Sequence, residues 1–209
     1  MKPYTIVKPI FDFLLALIGI LLLWPFFLII AIFIKVGSKG PVLFKQKRIG
    51  KDKKEFYIFK FRTMRIDTPA EMPTHLLQDP DFFITRAGKF LRKTSLDELP
   101  QIINILKGDM SIIGPRPALW NQYDLSAERD VYGANNIRPG LTGWAQINGR
   151  DELPIDVKAK LDGEYVTKLS LFFDIKVFFM TITSVLKSDG VREGADEQEA
   201  TTRTKGAAL

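Results

Sequence analysis

From Phe13 to Ile34 the chain runs for 22 residues, FLLALIGILLLWPFFLIIAIFI, without one charged side chain. At ~1.5 Å per residue, a helix of that length spans a hydrocarbon core of about 30 Å. The run is too long for the apolar centre of a signal peptide, and no small-x-small cleavage site follows it. A core helix in so small a protein is rarely apolar on every side. This feature therefore points to the membrane. Pro25 lies near its middle, where it removes the hydrogen bond to the Leu21 carbonyl and kinks the helix. Lys2 and Lys8 precede the run, and Lys35 and Lys39 follow it. Lys45, Lys47, Arg48, Lys51, Lys53 and Lys54 come soon after and favour a cytoplasmic C-terminal side. Hydropathy alone favours a tilted span. Positive charge at both ends fits equally a kinked helix that enters and leaves by one face.

Composition narrows the chemistry. The 209 residues include no Cys and one His, His75. That excludes disulfides, thiolate nucleophiles, Fe–S clusters and Cys-built zinc sites, and argues against a Ser–His relay. Carboxylates, Lys, Arg, Tyr, Ser and Thr remain, and oxygen ligands suit a hard ion such as Mg²⁺. The net charge is +6, yet residues 35–65 alone hold eleven basic residues against Asp52 and Glu55. A polybasic segment beside a membrane helix is drawn to anionic lipid at ~1 kcal/mol per cation, a better reading than nucleic-acid binding.

Several elements are legible beyond the apolar run. Phe56–Met64 (FYIFKFRTM) reads as a strand, with Tyr57, Phe59 and Phe61 on one face and Ile58, Lys60 and Arg62 on the other. Two neighbouring cations can grip a phosphate, although a solvated strand face has the better odds. Residues 66–82 read as a loop with one helical turn, where His75 is a surface residue, and 84–93 as a short basic helix. Leu96, Leu99, Ile103 and Leu106 have helical spacing that Gly108 ends. Residues 111–150, with GPRP and RPGLTGWAQINGR, read as rigid loops. Residues 161–188 return to helix, with Phe172, Ile175, Phe179, Ile182 and Leu186 in a stripe that suits either a core or a membrane interface. The polar stretch 191–209 is expected to be disordered.

Ser95-Leu96-Asp97-Glu98 is the sharpest local signal. Taken alone it is a capping box, with Ser95 on the amide of residue 98 and Glu98 reaching back. The same geometry permits chemistry. Adjacent helical carboxylates diverge by about 100°, which suits a division of labour rather than a shared proton. One could attack an electrophile while the other holds a metal, and a carboxylate attacking phosphorus gives an acyl phosphate. Arg116 between two prolines, Arg138 before Pro139-Gly140 and Arg150 at the end of a Gly-rich loop are cations in rigid settings. Singly, each is a surface salt bridge more often than not. Together with the acid pair and the membrane helix they suggest phosphoryl chemistry on a membrane substrate.

Six motifs in order carry a resemblance: Phe44-x-Gln46-x-Arg48-x-Gly50, Lys60-Phe61-Arg62-Thr63-Met64, Ser95 to Gln101, Leu106 to Ser111, Gly114-Pro115-Arg116-Pro117, and Arg138-Pro139-Gly140-x-Thr142-Gly143. The chain resembles the bacterial sugar transferase family, the monotopic phosphoglycosyl transferases, over about residues 8–190. The resemblance implies transfer of a sugar-1-phosphate from a UDP-sugar to undecaprenyl phosphate with release of UMP, the first membrane step of capsule, O-antigen or glycoconjugate synthesis. It implies a ping-pong course in which Asp97 attacks the β-phosphorus and Glu98 binds Mg²⁺. Lys60, Arg62, Arg116, Arg138 and Arg150 match basic motif positions, with phosphate-gripping roles inferred from their charge. Asp162 and Asp174 fall where similar chains carry Asp. The family's apolar helix is re-entrant and broken at Ser-Pro; here the pair is Trp24-Pro25, so the proline stays and the hydroxyl does not.

The implied fold is an α-rich α+β protein with a re-entrant membrane helix (1–36), a catalytic domain on the cytoplasmic face of the inner membrane (37–190) and a tail (191–209). It would hold a small strand element, amphipathic interfacial helices and Pro/Gly-rich active-site loops. The chain has the look of the minimal catalytic form. The run Arg116 to Tyr123 resembles transferases that use N-acetylated 6-deoxy sugars, ahead of glucose or galactose. Membrane lipid is an expected partner and nucleic acid is not; homodimerisation and contact with downstream glycosyltransferases stay open. Two competitors remain: a membrane-anchored basic module binding lipid or a partner without catalysis, and a conventional glycosyltransferase releasing UDP. The first has no need of an acid pair with fixed arginines, and the second needs a βαβ domain that the pattern lacks.

Overall fold

The computed structural model describes residues 3–68, 80–149 and 153–187. His75, Arg150 and the tail 191–209 fall outside the described residues, and so do the readings made of them.

The apolar run becomes helix α1, Tyr4–Gly37, assigned as one helix through Pro9 and Pro25. Trp24 is exposed on it. Its buried positions are Asp12, Ala16, Ile30 and Ile34, with Ile20, Leu23 and Phe27 partly covered between them. Intervals of three, four and seven residues make these a single stripe of the helix. The other faces expose Leu, Ile and Phe side chains. Thus α1 is no free-standing anchor; it lies along the rest of the protein from end to end. Ala16 packs with Ile58, Ile102, Ile105 and Met110, and Ile30 and Ile34 pack with Phe61 and Leu91.

Strands β1 (Leu43–Ile49) and β2 (Glu55–Phe61) form an antiparallel ribbon in which Phe44 faces Lys60 and Arg48 faces Phe56. The strand ends at Phe61, before the expected Met64. Nor does one face of β2 hold the core. Ile58 and Phe61, on opposite faces by alternation, are both buried, while Tyr57 is exposed. The reason is that helices pack on both faces of the ribbon.

A four-residue helix α2 (Pro80–Phe83) leads to the basic helix α3 (Arg86–Lys93), where the Gly88 amide donates to Thr85 Oγ1 at 2.9 Å. Gly88 is required by close approach, since a Cβ there would lie 1.9 Å from the Thr63 carbonyl oxygen. A 3₁₀ turn, Leu96–Gln101, then continues as α4, Ile102–Leu106. Gly108 ends this segment at φ +80°, as its position predicted.

Residues 111–149 are more ordered than their Gly and Pro content suggested. Strands β3 (Ser111–Ile113) and β4 (Gly140–Thr142) pair in parallel, with Ser111 opposite Gly140. Helices α5 (Tyr123–Val131) and α6 (Trp144–Ile147) lie after each strand. Short polar helices such as α5 carry weak periodicity, so the pattern passed it over.

The C-terminal helix is two helices, α7 (Ile155–Lys168) and α8 (Leu171–Lys187). The stripe of Phe172, Ile175, Phe179 and Ile182 is exposed, with Phe172 at 84%. The interface reading of the stripe fits this and the core reading does not. Among its described residues, α8 buries Asp174 and Val177. Asp174 is therefore no solvent-facing polar position; it belongs to the interior beside Tyr165. The whole is helix-rich with two small strand pairs and one long apolar N-terminal helix.

Candidate active site

Asp97 and Glu98 open the 3₁₀ turn that follows α3. The capping box expected at Ser95 does not form. Ser95 adopts left-handed backbone (φ +56°), and its side chain caps nothing. The Glu98 amide instead meets the Ser95 carbonyl at 3.3 Å. Glu98 is thereby free to turn its carboxylate toward two cations from distant parts of the chain.

Lys60 Nζ donates to Glu98 Oε1 at 2.7 Å. Arg116 donates through Nη2 to Oε1 at 2.8 Å and through Nη1 to Oε2 at 3.3 Å, the two-pronged contact to which its planar fork is suited. Each partner is fixed by its own support. Asn104, fully buried on α4, accepts from the Phe59 amide at 3.0 Å and donates to the Tyr57 carbonyl at 2.8 Å. Its amide docks the acid-bearing segment on the β2 edge next to Lys60. Arg48 donates to the Pro117 carbonyl at 3.0 Å, and the Ile49 amide to Ala118. These bonds hold the loop that carries Arg116 against β1. On its other side the loop is locked by Gly114 N to Thr142 O and Gly140 N to Pro115 O, both 2.9 Å.

Asp97 is 8% exposed and accepts no hydrogen bond among the described residues. Burial pushes its carboxyl up to about 6, opposed by the charge of Lys60. The neighbouring Glu98 adds to the rise, and Arg92 and Arg116 work against it. For Glu98, burial also acts upward, but Arg116 and Lys60 outweigh it and hold the carboxyl well below the usual range. Two adjacent acids thus sit in different surroundings: Glu98 is held ionised by two cations, while Asp97 is raised by burial and accepts no hydrogen bond among the described residues. Environments that separate a carboxylate pair in this way assign them different work.

The other expected residues are distributed differently. Arg62 does not join Lys60. Its guanidinium is consumed by the carbonyls of Pro41 (2.6 Å), Lys39 (2.7 Å) and Ser38 (3.0 Å) at the end of α1. The strand ends at Phe61, so Arg62 is aimed at the α1–β1 connection. Arg138 lies against Gly108 and makes no hydrogen bond or ion pair among the described residues. Asp162 pairs with Arg129 at 2.6 Å, and Asp174 accepts from Tyr4, Lys8 and Tyr165. Neither touches the acid pair. The residue that sequence reasoning passed over is Arg92. It sits in the last turn of α3, five positions before Asp97, in a segment read only as a basic helix.

Among the described residues no three His, Cys, Asp or Glu side chains gather as a metal site. Asp97 and Glu98 supply hard oxygen ligands, too few to cage an ion alone. They fit an Mg²⁺ that takes one or two carboxylates and completes its shell with substrate phosphates and water.

Residues 3–188 match the family described as Bacterial sugar transferase. The chain is 41% identical over 190 residues to a UDP-glucose:undecaprenyl-phosphate glucose-1-phosphate transferase of Xanthomonas campestris pv. campestris, covering 88% of this chain and 39% of that protein. It is 40% identical over 195 residues to a UDP-N-acetylgalactosamine-undecaprenyl-phosphate N-acetylgalactosaminephosphotransferase of Aeromonas hydrophila, covering 90% and 46%. To the uncharacterized sugar transferase EpsL of Bacillus subtilis (strain 168) it is 40% identical over 193 residues, covering 90% and 91%. The chain thus spans less than half the length of the first two relatives and nearly all of the third.

Proposed function

The chain belongs to the bacterial sugar transferase family, and from that premise we propose that it transfers a sugar-1-phosphate from a UDP-sugar to undecaprenyl phosphate and releases UMP. This would begin a capsule, O-antigen or other glycoconjugate on the cytoplasmic face of the bacterial inner membrane. The observation that carries the reading is the split character of Asp97 and Glu98 among Lys60, Arg92 and Arg116.

The course is ping-pong. An Asp97 carboxylate oxygen attacks the β-phosphorus of the donor, a P–O bond forms, and the bond to UMP breaks. An oxygen of undecaprenyl phosphate then attacks the same phosphorus. The new diphosphate leaves with the sugar, and the Asp97 carboxylate is restored. Burial raises the Asp97 carboxyl, and the charges of Lys60, Arg92 and Arg116 favour its ionised form, which attacks without a base. Burial, with no hydrogen bond from the described residues, leaves that carboxylate poorly stabilised before attack. Lys60, Arg116 and Arg92 offer positive charge to the diphosphate. Lys60 and Arg116 are the cations that Glu98 occupies without donor. Arg138 and Arg150 complete the proposed phosphate contacts, and Arg62 serves the α1–β1 connection instead. Glu98 would hold Mg²⁺ with the donor; the ion would neutralise charge on the diphosphate.

For the donor we infer an N-acetylated hexose, 6-deoxy forms included, on the run Arg116 to Tyr123. The relatives are named for glucose and N-acetylgalactosamine, so a donor panel decides. The re-entrant reading of α1 is supported by its stripe, which touches the catalytic domain at Tyr4 and Lys8 as well as at Ile34. A straight span carries its two ends to opposite sides of the membrane.

The experiment is nucleotide release. Purified protein is incubated with undecaprenyl phosphate, Mg²⁺ and a panel of UDP-sugars, with Asp97→Asn and EDTA as controls. UMP with one donor, lost in both controls, supports the assignment; UDP, or no nucleotide with any donor, overturns it. Peptide mass spectrometry of the donor-treated enzyme without acceptor should find phosphosugar on Asp97. The same label on Glu98 would reverse the roles.

A further inference from the structure

Ionisable side chains in an apolar helix are costly and are retained for a task. Besides Lys35 in its last turn, helix α1 carries Lys8 and Asp12; Asp12 is buried against the protein and Lys8 is largely covered beside it, rather than flanking the helix in solvent. Asp12 Oδ2 accepts from Ser111 Oγ at 2.7 Å, and Oδ1 accepts from the Ile112 amide at 3.2 Å. Lys8 Nζ lies 3.6 Å from Asp12 Oδ1 and 2.6 Å from Asp174 Oδ2. Tyr4 donates to Asp174 Oδ2 at 2.7 Å, while Tyr165 reaches Asp174 Oδ1 at 2.7 Å and the Ile113 carbonyl at 3.0 Å. Ser111, Ile112 and Ile113 are the whole of β3. Every polar group of the network therefore converges on one three-residue strand or on the carboxylate beside it.

That strand runs straight into Gly114-Pro115-Arg116. Between Ile113 and Arg116 the backbone has little freedom. Gly114 N and Pro115 O are both bonded to β4, and a Cβ on Gly143 would lie 2.0 Å from the Gly114 carbonyl oxygen. The root of the Arg116 loop is thus held from the membrane helix, and its tip grips Glu98. We propose that Asp12, oriented by Lys8, is a positioning residue for the transfer reaction: it sets β3 so that Arg116 meets Glu98 and the donor phosphates. Helix α1 then acts on the active site through this contact and is more than an anchor.

The inference rests on the proposed transfer reaction, whose assay reads it. A misplacement of ~1 Å at a reacting group costs on the order of a hundredfold in rate. Asp12→Asn keeps the shape and turns an NH₂ toward one of the two β3 donors. We expect it to lower kcat about ten- to a hundredfold with little change in KM for undecaprenyl phosphate. The decisive measurement is a cycle with Arg116→Lys. If Asp12 acts through Arg116, Asp12→Asn changes the rate of the Arg116→Lys enzyme by less than about twofold. Losses that multiply in the double variant, or a wild-type kcat in Asp12→Asn, would overturn the proposal. Ser111→Ala, which removes one donor only, must show the same non-additivity in smaller measure and stands in should Asp12→Asn fail to fold. Failure of the reaction assignment is separate, since the wild-type enzyme would then release no UMP.

Discussion

Arg129→Met tests whether the buried pair between α5 and α7 is structural. Arg129 donates through Nε to Asp162 Oδ2 at 2.8 Å, and its Nη2 lies 2.6 Å from the same oxygen. The two side chains are 5% and 1% exposed, and Asp162 Oδ1 has no hydrogen-bond partner among the described residues. Methionine fills much of the space and removes the charge, leaving a carboxylate in the interior. Removing one member of a buried pair costs about 3–5 kcal/mol, which for a chain of this size lowers the thermal midpoint by roughly 6–20 °C. Asp162→Leu in the same background removes the stranded charge and should restore most of that loss. The pH dependence has a definite sign. Burial already raises the Asp162 carboxyl, with Arg129 opposing. Without Arg129 it rises further, so the folded state holds a proton that the unfolded state has released. Stability then falls as pH climbs from the unfolded carboxylate range through the raised folded value, at up to about 1.4 kcal/mol per unit. Arg129→Met should thus lie nearest wild type at acid pH and furthest at alkaline pH. The assay is thermal unfolding in mixed micelles from pH 5 to 8, with UMP release measured at low temperature. Turnover per folded molecule should be unchanged. A fall in midpoint that is the same at every pH, or a double variant no better than the single, would refute the stranded-carboxylate argument. A lost turnover with a wild-type midpoint would give Asp162 a role in catalysis.

Asn104→Ala leaves the Phe59 amide and Tyr57 carbonyl without their partner; at about 1–3 kcal/mol per unsatisfied group the midpoint and the transfer rate should fall together, and a wild-type rate would show that Lys60 needs no such docking. Gly88→Ala places a Cβ 1.9 Å from the Thr63 carbonyl oxygen, so overpacking should cost about 3 kcal/mol or more; an unchanged midpoint would mean that α3 slides freely on β2. A chain from residue 38 onward loses Ala16, Ile30 and Ile34 from two core clusters and should show no cooperative unfolding transition, whereas a cooperative melt would make α1 dispensable to the fold.

Local chemistry reached its limit at definite places. The long apolar helix, the basic helix α3, the stop at Gly108 and the acid pair were all legible because each rests on neighbours within a few residues. The ordered motifs carried the family resemblance, and with it Lys60 and Arg116 as cations of interest. Ser95 misled, since S-x-x-E describes a cap whether or not the backbone enters the left-handed region. The stripe on α8 could be read either way, because periodicity reports that a face is apolar and not what covers it.

What the sequence determined by itself is therefore the inventory: a helix apolar enough for a membrane, no thiol and a single imidazole, and a carboxylate pair with arginines in rigid loops. Tertiary structure alone decided how these are shared out. It sent Lys60 and Arg116 to one carboxylate from 38 and 18 residues away and Arg62 to backbone carbonyls. It raised Asp97 by burying it and brought Asp12 and Lys8, just ahead of the apolar run, into contact with β3 and α8. The physical reason is that charge acts through space and burial is a property of the packed whole. Lys60 and Arg62, two residues apart across the end of β2, reach unrelated sites, while residues a hundred apart share one hydrogen bond.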